Sequence, residues 1–261
     1  MSALRGTLAS TWAVAGFQLA RLLTPARLGL AALGMLFPAV VLFAIQRATK
    51  VPLDRNFGAV LLYALVPEAV CMLGLLMTMC PAVADELERG TWVHVATRPG
   101  GRRALVLGTF LASVVWTTVV GLGALLLGVV ASGMAEPWGL IAVFSGLVVV
   151  SCIGRAALFA LPAVVLPRRA LVASVGVAVV VEYLAGFLPA VVNQATVSLR
   201  LRSLLVHWMD WRRAMPAQLR LLVDPQPVWV QCAAVVVLAT VLLTLAIIIL
   251  DLRQFPPSEE G

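Results

Sequence analysis

Residues 85–103 read DELERGTWVHVATRPGGRR and lie between two apolar runs, Phe57–Ala84 and Ala104–Gly133. Three acids fall in the first four positions, and four arginines follow in the rest. A helix needs about 20 apolar residues to cross the hydrocarbon core of a bilayer, and both flanking runs are that long. Charges of both signs are costly inside hydrocarbon, so the segment between the runs reads as a loop outside the membrane.

Working outward from that loop, six runs are long enough to span: Leu28–Ile45, Phe57–Ala84, Ala104–Gly133, Trp138–Leu166, Ala170–Val192 and Val228–Leu250. The chain of 261 residues is 62% hydrophobic and 12% charged, with a mean hydropathy of +1.03. Soluble domains carry about 25% charged residues. The expected fold is therefore an all-α membrane protein with six transmembrane helices. Of the 19 basic residues only Lys50 is a lysine, and the net charge is +7. Arginines at span ends face anionic headgroups, so the excess of base points to membrane lipid as partner and not to nucleic acid.

Residues 1–27 precede the first span. Leu8, Trp12, Ala15, Leu19 and Leu22 recur at helical spacing, which predicts an interfacial amphipathic helix ended by Pro25. Residues 28–261 then form the six-span domain. Between spans five and six lies a long loop, 193–227. There Leu201, Leu204, Leu205, Trp208 and Met215 form an apolar stripe with Arg202, Asp210 and Arg213 off it. The stripe predicts a second amphipathic helix, ended by Pro216. It either lies among the outer headgroups, anchored by Trp208 and Trp211, or packs as a lid over the helix ends.

Loop charge sets orientation. With the N-terminus inside, the inner segments hold ten basic residues and the outer ones eight. The short loops agree: Met134–Pro137 has no base and Pro167–Arg169 has two. Both termini are expected in the cytoplasm.

Cys71, Cys80, Cys152 and Cys232 fall inside apolar runs and form no C-x-x-C, so they read as buried free thiols. His94 and His207 are far apart, which leaves no metal-ligand spacing. Three ionisable residues sit within spans: Glu68, Arg155 and Glu182. Arg155 lies thirteen residues before Arg168, and Glu182 thirteen after Arg169, on either side of a tight turn. At 1.5 Å per residue the two reach equal depth in an antiparallel hairpin. They either form an ion pair, testable by exchanging the two charges, or face apart toward water or other helices. Glu68 follows Pro67, a residue that kinks a helix and frees a carbonyl. It is either a polar feature of a substrate path or dimer seam, or a hydrogen-bonded structural group.

The loop that opened this reading has a further pattern. Glu86-x-Glu88-x-Gly90-Thr91, then Pro99, then Arg102 three residues on, resembles the first cytoplasmic loop of ABC-2 type transporter permeases. Their usual pattern is E-x-E-x-G-T, a mixed stretch, P-x-x-R, and a span often opening with Gly-Lys, where this chain has Gly108-Thr109. The layout of an N-terminal interfacial helix, six spans and a long outer loop is similar as well. The resemblance implies a permease subunit of an exporter in the cell's inner (cytoplasmic) membrane. It also implies pairing with a second copy or a paralogue, and coupling to a separate ATPase subunit through a helix in the 85–103 loop. Asp85, Glu86, Glu88, Gly90, Thr91, Pro99 and Arg102 are the implied coupling residues. The chain has no G-x-x-x-x-G-K-[ST], so ATP and Mg would sit on the partner, with no cofactor on this chain and no catalysis by it. A membrane-embedded enzyme and a non-transporting scaffold or assembly factor are the alternative readings. Ser145-Gly146 in the fourth run has no base beside it in sequence, which counts against a serine enzyme.

Overall fold

The computed structural model describes residues 2–49, 54–88, 100–133, 137–184, 194, 196–211 and 223–252, and every regular element among them is helical. Helix α1 is Ser2–Leu22 and α2 is Pro25–Thr49. A continuous rod follows, made of α3 (Arg55–Tyr63), a π-helical segment (Ala64–Val70) and α4 (Cys71–Glu88). Then come α5 (Gly101–Ser132) and α6 (Pro137–Val165). A short 3-10 turn (Pro167–Arg169) leads into α7 (Ala170–Val177) and a second π-helical segment (Ala178–Leu184). Last are α8 (Val197–Trp208) and α9 (Val228–Leu252).

Five stretches are long and apolar enough to cross a membrane: Pro25–Thr49, Arg55–Glu86, Gly101–Ser132, Pro137–Val165 and Val228–Leu252. They match the expected spans one, two, three, four and six, and make the chain a multi-pass membrane protein. The expected fifth span, Ala170–Val192, is helical from Ala170 to Leu184, and its remainder lies outside the described residues.

The ends of these helices follow from local chemistry. Pro25 opens α2, where its missing N–H costs nothing. Asp54 caps α3, its carboxylate accepting from the amides of Asn56 (3.1 Å) and Phe57 (3.4 Å). Gly133, at φ 57°, closes α5 in the left-handed conformation that glycine adopts without strain. Pro67 has no N–H to give to the carbonyl four residues back, and around it the ladder slips by one, with the Cys71 amide donating to Val66 O.

The helices alternate in direction. One end of the bundle, called proximal here, carries Pro25, Glu88, Gly101, Val165 and Leu252. The distal end carries Thr49, Arg55, Ser132, Pro137 and Val228. Helix α6 is central and largely buried, whereas α2 turns Leu33, Leu36, Phe37, Val40 and Phe43 outward. Glycines mark the close crossings, as in other membrane bundles. A Cβ at Gly121 would lie 2.9 Å from Val148, and one at Gly154 would lie 2.9 Å from Val197. Two apolar clusters fill the interior. The proximal one joins α4, α5, α6 and α9 through residues such as Met79, Val106, Phe159 and Ala246. The distal one joins α3, α5, α6 and α8 through Leu62, Leu125, Phe144 and Leu204. On α6 the distal cluster ends at Cys152 and the proximal one begins at Ala156, so Arg155 lies at the seam.

One expectation gains detail and another changes. Of the apolar stripe expected on α1, Ala15 and Leu22 are buried, but Leu8 and Trp12 are exposed, with Phe17 beside them. The inward face is Thr11, Ala15, Gln18 and Leu22, packed on α5. Helix α7 and its π continuation repeat this arrangement: Ala170, Ser174, Ala178 and Glu182 are buried at four-residue spacing, while Leu171, Val172, Val179 and Val180 face out. Small and polar side chains let helices approach or bond, and lipid accepts the large apolar ones. The expectation that changes is the one for α8. It is neither superficial nor a lid: Val197 packs at Gly154, halfway along α6, and Trp208 at Gly146. Leu201, Leu204 and Leu205 of the expected stripe are buried between α6 and α9, while Met215, Arg213 and Pro216 lie outside the described residues.

Candidate functional site

The seam between the two apolar clusters holds a connected polar site. Arg155, fully buried on α6, meets both acids that lie within apolar helices. One guanidinium nitrogen, Nη2, donates to Glu68 Oε2 and to Ser198 Oγ (3.2 Å). The other, Nη1, donates to the Pro67 carbonyl and to Ser151 Oγ (2.9 Å). Its Nε stands 3.5 Å from Glu182 Oε2, an ion-pair contact without hydrogen-bond alignment.

The local folding explains how these groups meet. The π-helical segment around Pro67 leaves the Pro67 carbonyl facing α6, where Ser151 Oγ also donates to it (3.2 Å). Glu68 follows at once, and its Oε1 accepts from Tyr63 Oη at 2.6 Å. Glu182 comes from the second π-helical segment. Its carboxylate accepts from the amides of Val197 (3.1 Å) and Ser198 (3.0 Å) and from Ser198 Oγ (2.7 Å). Those amides are the first of α8, so Glu182 acts as a cap supplied from another helix, beside the intrinsic cap Thr196. An uncapped helix start at this depth would strand donors in an apolar interior. The carboxylate is what allows α8 to begin halfway along α6.

The site thus ties four segments together. A buried charge is tolerated only when paired and hydrogen-bonded, and Arg155 meets that condition on both Nη nitrogens. The geometry also alters the charge-exchange expectation. With a cation at 182 facing the amides of α8, and a carboxylate at 155 facing Glu68 and a carbonyl, the exchanged pair would be repelled by its surroundings. Arg155→Glu and Glu182→Arg are each expected to cost about 3–5 kcal/mol. The double variant is expected not to recover, as judged by the monodisperse fraction after detergent extraction.

The 85–103 segment is shorter as a loop than its sequence suggests. Asp85–Glu88 form the last turn of α4, and Gly101–Arg103 the first turn of α5. Gly90, Thr91, Pro99 and the Glu88 side chain lie outside the described residues. The acids therefore stand at a helix C-terminus and the bases at an N-terminus, each against the helix dipole by about 0.3–1 kcal/mol. Neighbouring helices offset this. Arg21, in the last turn of α1, bonds Glu86 Oε1 at 2.6 Å and lies 3.7 Å from Asp85 Oδ2. Arg102 donates to the carbonyls of Leu250 (3.3 Å) and Asp251 (2.9 Å), the free C-terminal acceptors of α9. Sequence reasoning missed Arg21, although its opposite charge at the same end of the bundle was the available signal.

At the distal end Arg200 joins α8 to α9 through Asp224 (2.6 Å) and Gln231 (2.9 Å). Trp211 Nε1 donates to Asn56 Oδ1 (2.7 Å), which ties the end of α8 to the start of α3. Ser145 Oγ donates to Ile141 O of its own helix (2.6 Å). Among the described residues no three His, Cys, Asp or Glu side chains gather as a metal site would require. No protein-family model matches the chain, and no curated protein matches it.

Proposed function

We propose that the chain is the permease subunit of an ATP-driven ABC-2 type exporter of the cytoplasmic membrane. In this reading it has six spans, with both termini and the proximal end in the cytoplasm. It pairs with a second copy or a paralogue, and a separate ATPase engages the 85–103 segment. The observation that carries the reading is the E-x-E-x-G-T…P-x-x-R pattern, set where α4 hands over to α5 and gripped on both sides. Arg21 ties its first turn to α1, and Arg102 ties its last to α9. A push on this segment would reach α1, α4, α5 and α9 together. The Arg155 site, halfway along the bundle, is where the α4 rod meets α6 and α8. Transport then alternates between two packings of these helices, biased by the nucleotide state of the partner.

The test is charge reversal with a matched control. Glu86→Lys with Glu88→Lys is expected to leave expression intact and to abolish transport-coupled ATP hydrolysis by a co-purified P-loop ATPase. Arg21→Glu together with Glu86→Lys rebuilds the contact to α1 with the signs exchanged. If Glu86 served only to hold α1, that variant would couple normally. Normal coupling in the Glu86/Glu88 double variant, or the lack of any ATPase partner, would sink the proposal.

A further inference from the structure

Between α2, α4 and α5 a groove of about 350 Å³ opens sideways out of the bundle. Leu30, Phe37, Leu73 and Met77 form its walls, and Trp116 lies along one side. Its floor is low where Gly34 and Gly74 face α5. The Thr78 hydroxyl, which could have made the wall polar, is turned back onto Gly74 O at 2.8 Å. The volume falls within the usual range of ligand sites, about 300–1,000 Å³.

One end of the groove is charged. Arg27, in the first turn of α2, lines it at the proximal end. Its Nη1 donates to the Arg21 carbonyl (3.2 Å), and no carboxylate among the described residues pairs with it. From Arg27 to Phe37 the groove follows ten residues of α2. At 1.5 Å per residue that is about 15 Å, half of a hydrocarbon core of about 30 Å. A cation at the membrane edge, continued by an apolar trough one leaflet deep, matches one chain and one headgroup of an anionic lipid.

We infer that this groove is a binding site for an anionic glycerophospholipid of the proximal leaflet, with one acyl chain between α2 and α4 and the phosphate on Arg27. A second copy of the chain is the competing occupant, and its face would need an acid opposite Arg27. The site stands whether or not the chain is a transporter.

Trp116 is a built-in reporter. The experiment keeps Trp116 as the sole tryptophan, the others being changed to Phe, and reconstitutes the protein in phosphatidylcholine vesicles. Phosphatidylglycerol or phosphatidylcholine with brominated acyl chains is then added as quencher. The brominated anionic lipid is expected to compete for the site about fivefold better than the zwitterionic one, the gain of one basic residue at an anionic headgroup. Arg27→Gln should bring that ratio to unity. Gly34→Leu, whose side chain enters the groove from a position with only ordinary contacts at Cβ, should remove the anionic excess. If the multiple-Phe protein does not fold, native mass spectrometry of the full chain reads the same site, as one retained phosphatidylglycerol lost in Arg27→Gln. Equal quenching by the two lipids overturns the inference. So does quenching that appears, with either lipid, only once the protein is diluted in vesicles, the mark of a second copy in the groove.

Discussion

Arg155→Met is expected to destabilise the folded protein by about 3–5 kcal/mol, the cost of leaving buried acids without their cation. Methionine fills similar length with no charge, so the loss is electrostatic more than steric. Glu68 loses Nη2 and Glu182 loses its ion-pair contact, while the Pro67 carbonyl keeps only Ser151. Folded proteins are stable by about 5–15 kcal/mol in total, so the variant should be barely folded. The monodisperse fraction after extraction and the thermal midpoint in detergent measure this. Arg155→Lys keeps the charge, but one ammonium cannot serve Pro67, Glu68 and Ser151 in the planar fork that a guanidinium provides, so it should fall between. Adding Glu68→Gln and Glu182→Gln to Arg155→Met removes the stranded charges and should recover part of the loss. An Arg155→Met protein as stable as the native one would mean that the site contributes nothing to holding the bundle.

Gly108→Leu is expected to detach α1. A Cβ at this position would stand 2.7 Å from Val14 side-chain atoms and 2.9 Å from the Thr11 carbonyl. The carbonyl is helix backbone and cannot turn away, so α1 as a whole must move. Overpacking of this kind costs about 1–3 kcal/mol. The opposing grip at the far end of α1 is the Arg21 contact with Glu86, part-exposed and worth about 0.2–1 kcal/mol. The larger number wins. Limited trypsin digestion should then cut after Arg21 well before the native protein is cut, with the five long helices still protected. Gly108→Ala should show the same change more weakly. Cleavage at the native rate in Gly108→Leu would place the α1 contact elsewhere.

Spans one to four and six were legible because length and apolar content decide them. The depth match of Arg155 and Glu182 was legible too, since a tight turn at Arg168–Arg169 makes counting sufficient. Glu68 was visible as a charge inside a span, but its meeting with Arg155 was not. That contact crosses 87 positions and depends on the ladder slip at Pro67. The face of α1 that packs on α5 was not legible, because a stripe of apolar residues at helical spacing marks an amphipathic helix without saying which side meets the neighbouring helix. The depth of α8 was hidden for another reason: Leu201, Leu204 and Leu205 read alike on a headgroup helix and on one buried between α6 and α9. What separates the two is Glu182, fifteen residues before the helix it caps.

That cap bears on how the chain is made. Twelve residues of α8 rise about 18 Å, too short to cross a core of about 30 Å. The segment therefore cannot leave the translocon as a span of its own. It has a place only once α6 has delivered Arg155 and the helix before it has delivered Glu182, since together they complete the site around Ser198. The order of synthesis, 155, then 182, then 198, supplies the partners in the sequence in which they are needed. Between the second and the third, Glu182 has its contact with Arg155 but no amide to cap, so the carboxylate waits for α8 with its main hydrogen bonds unmade.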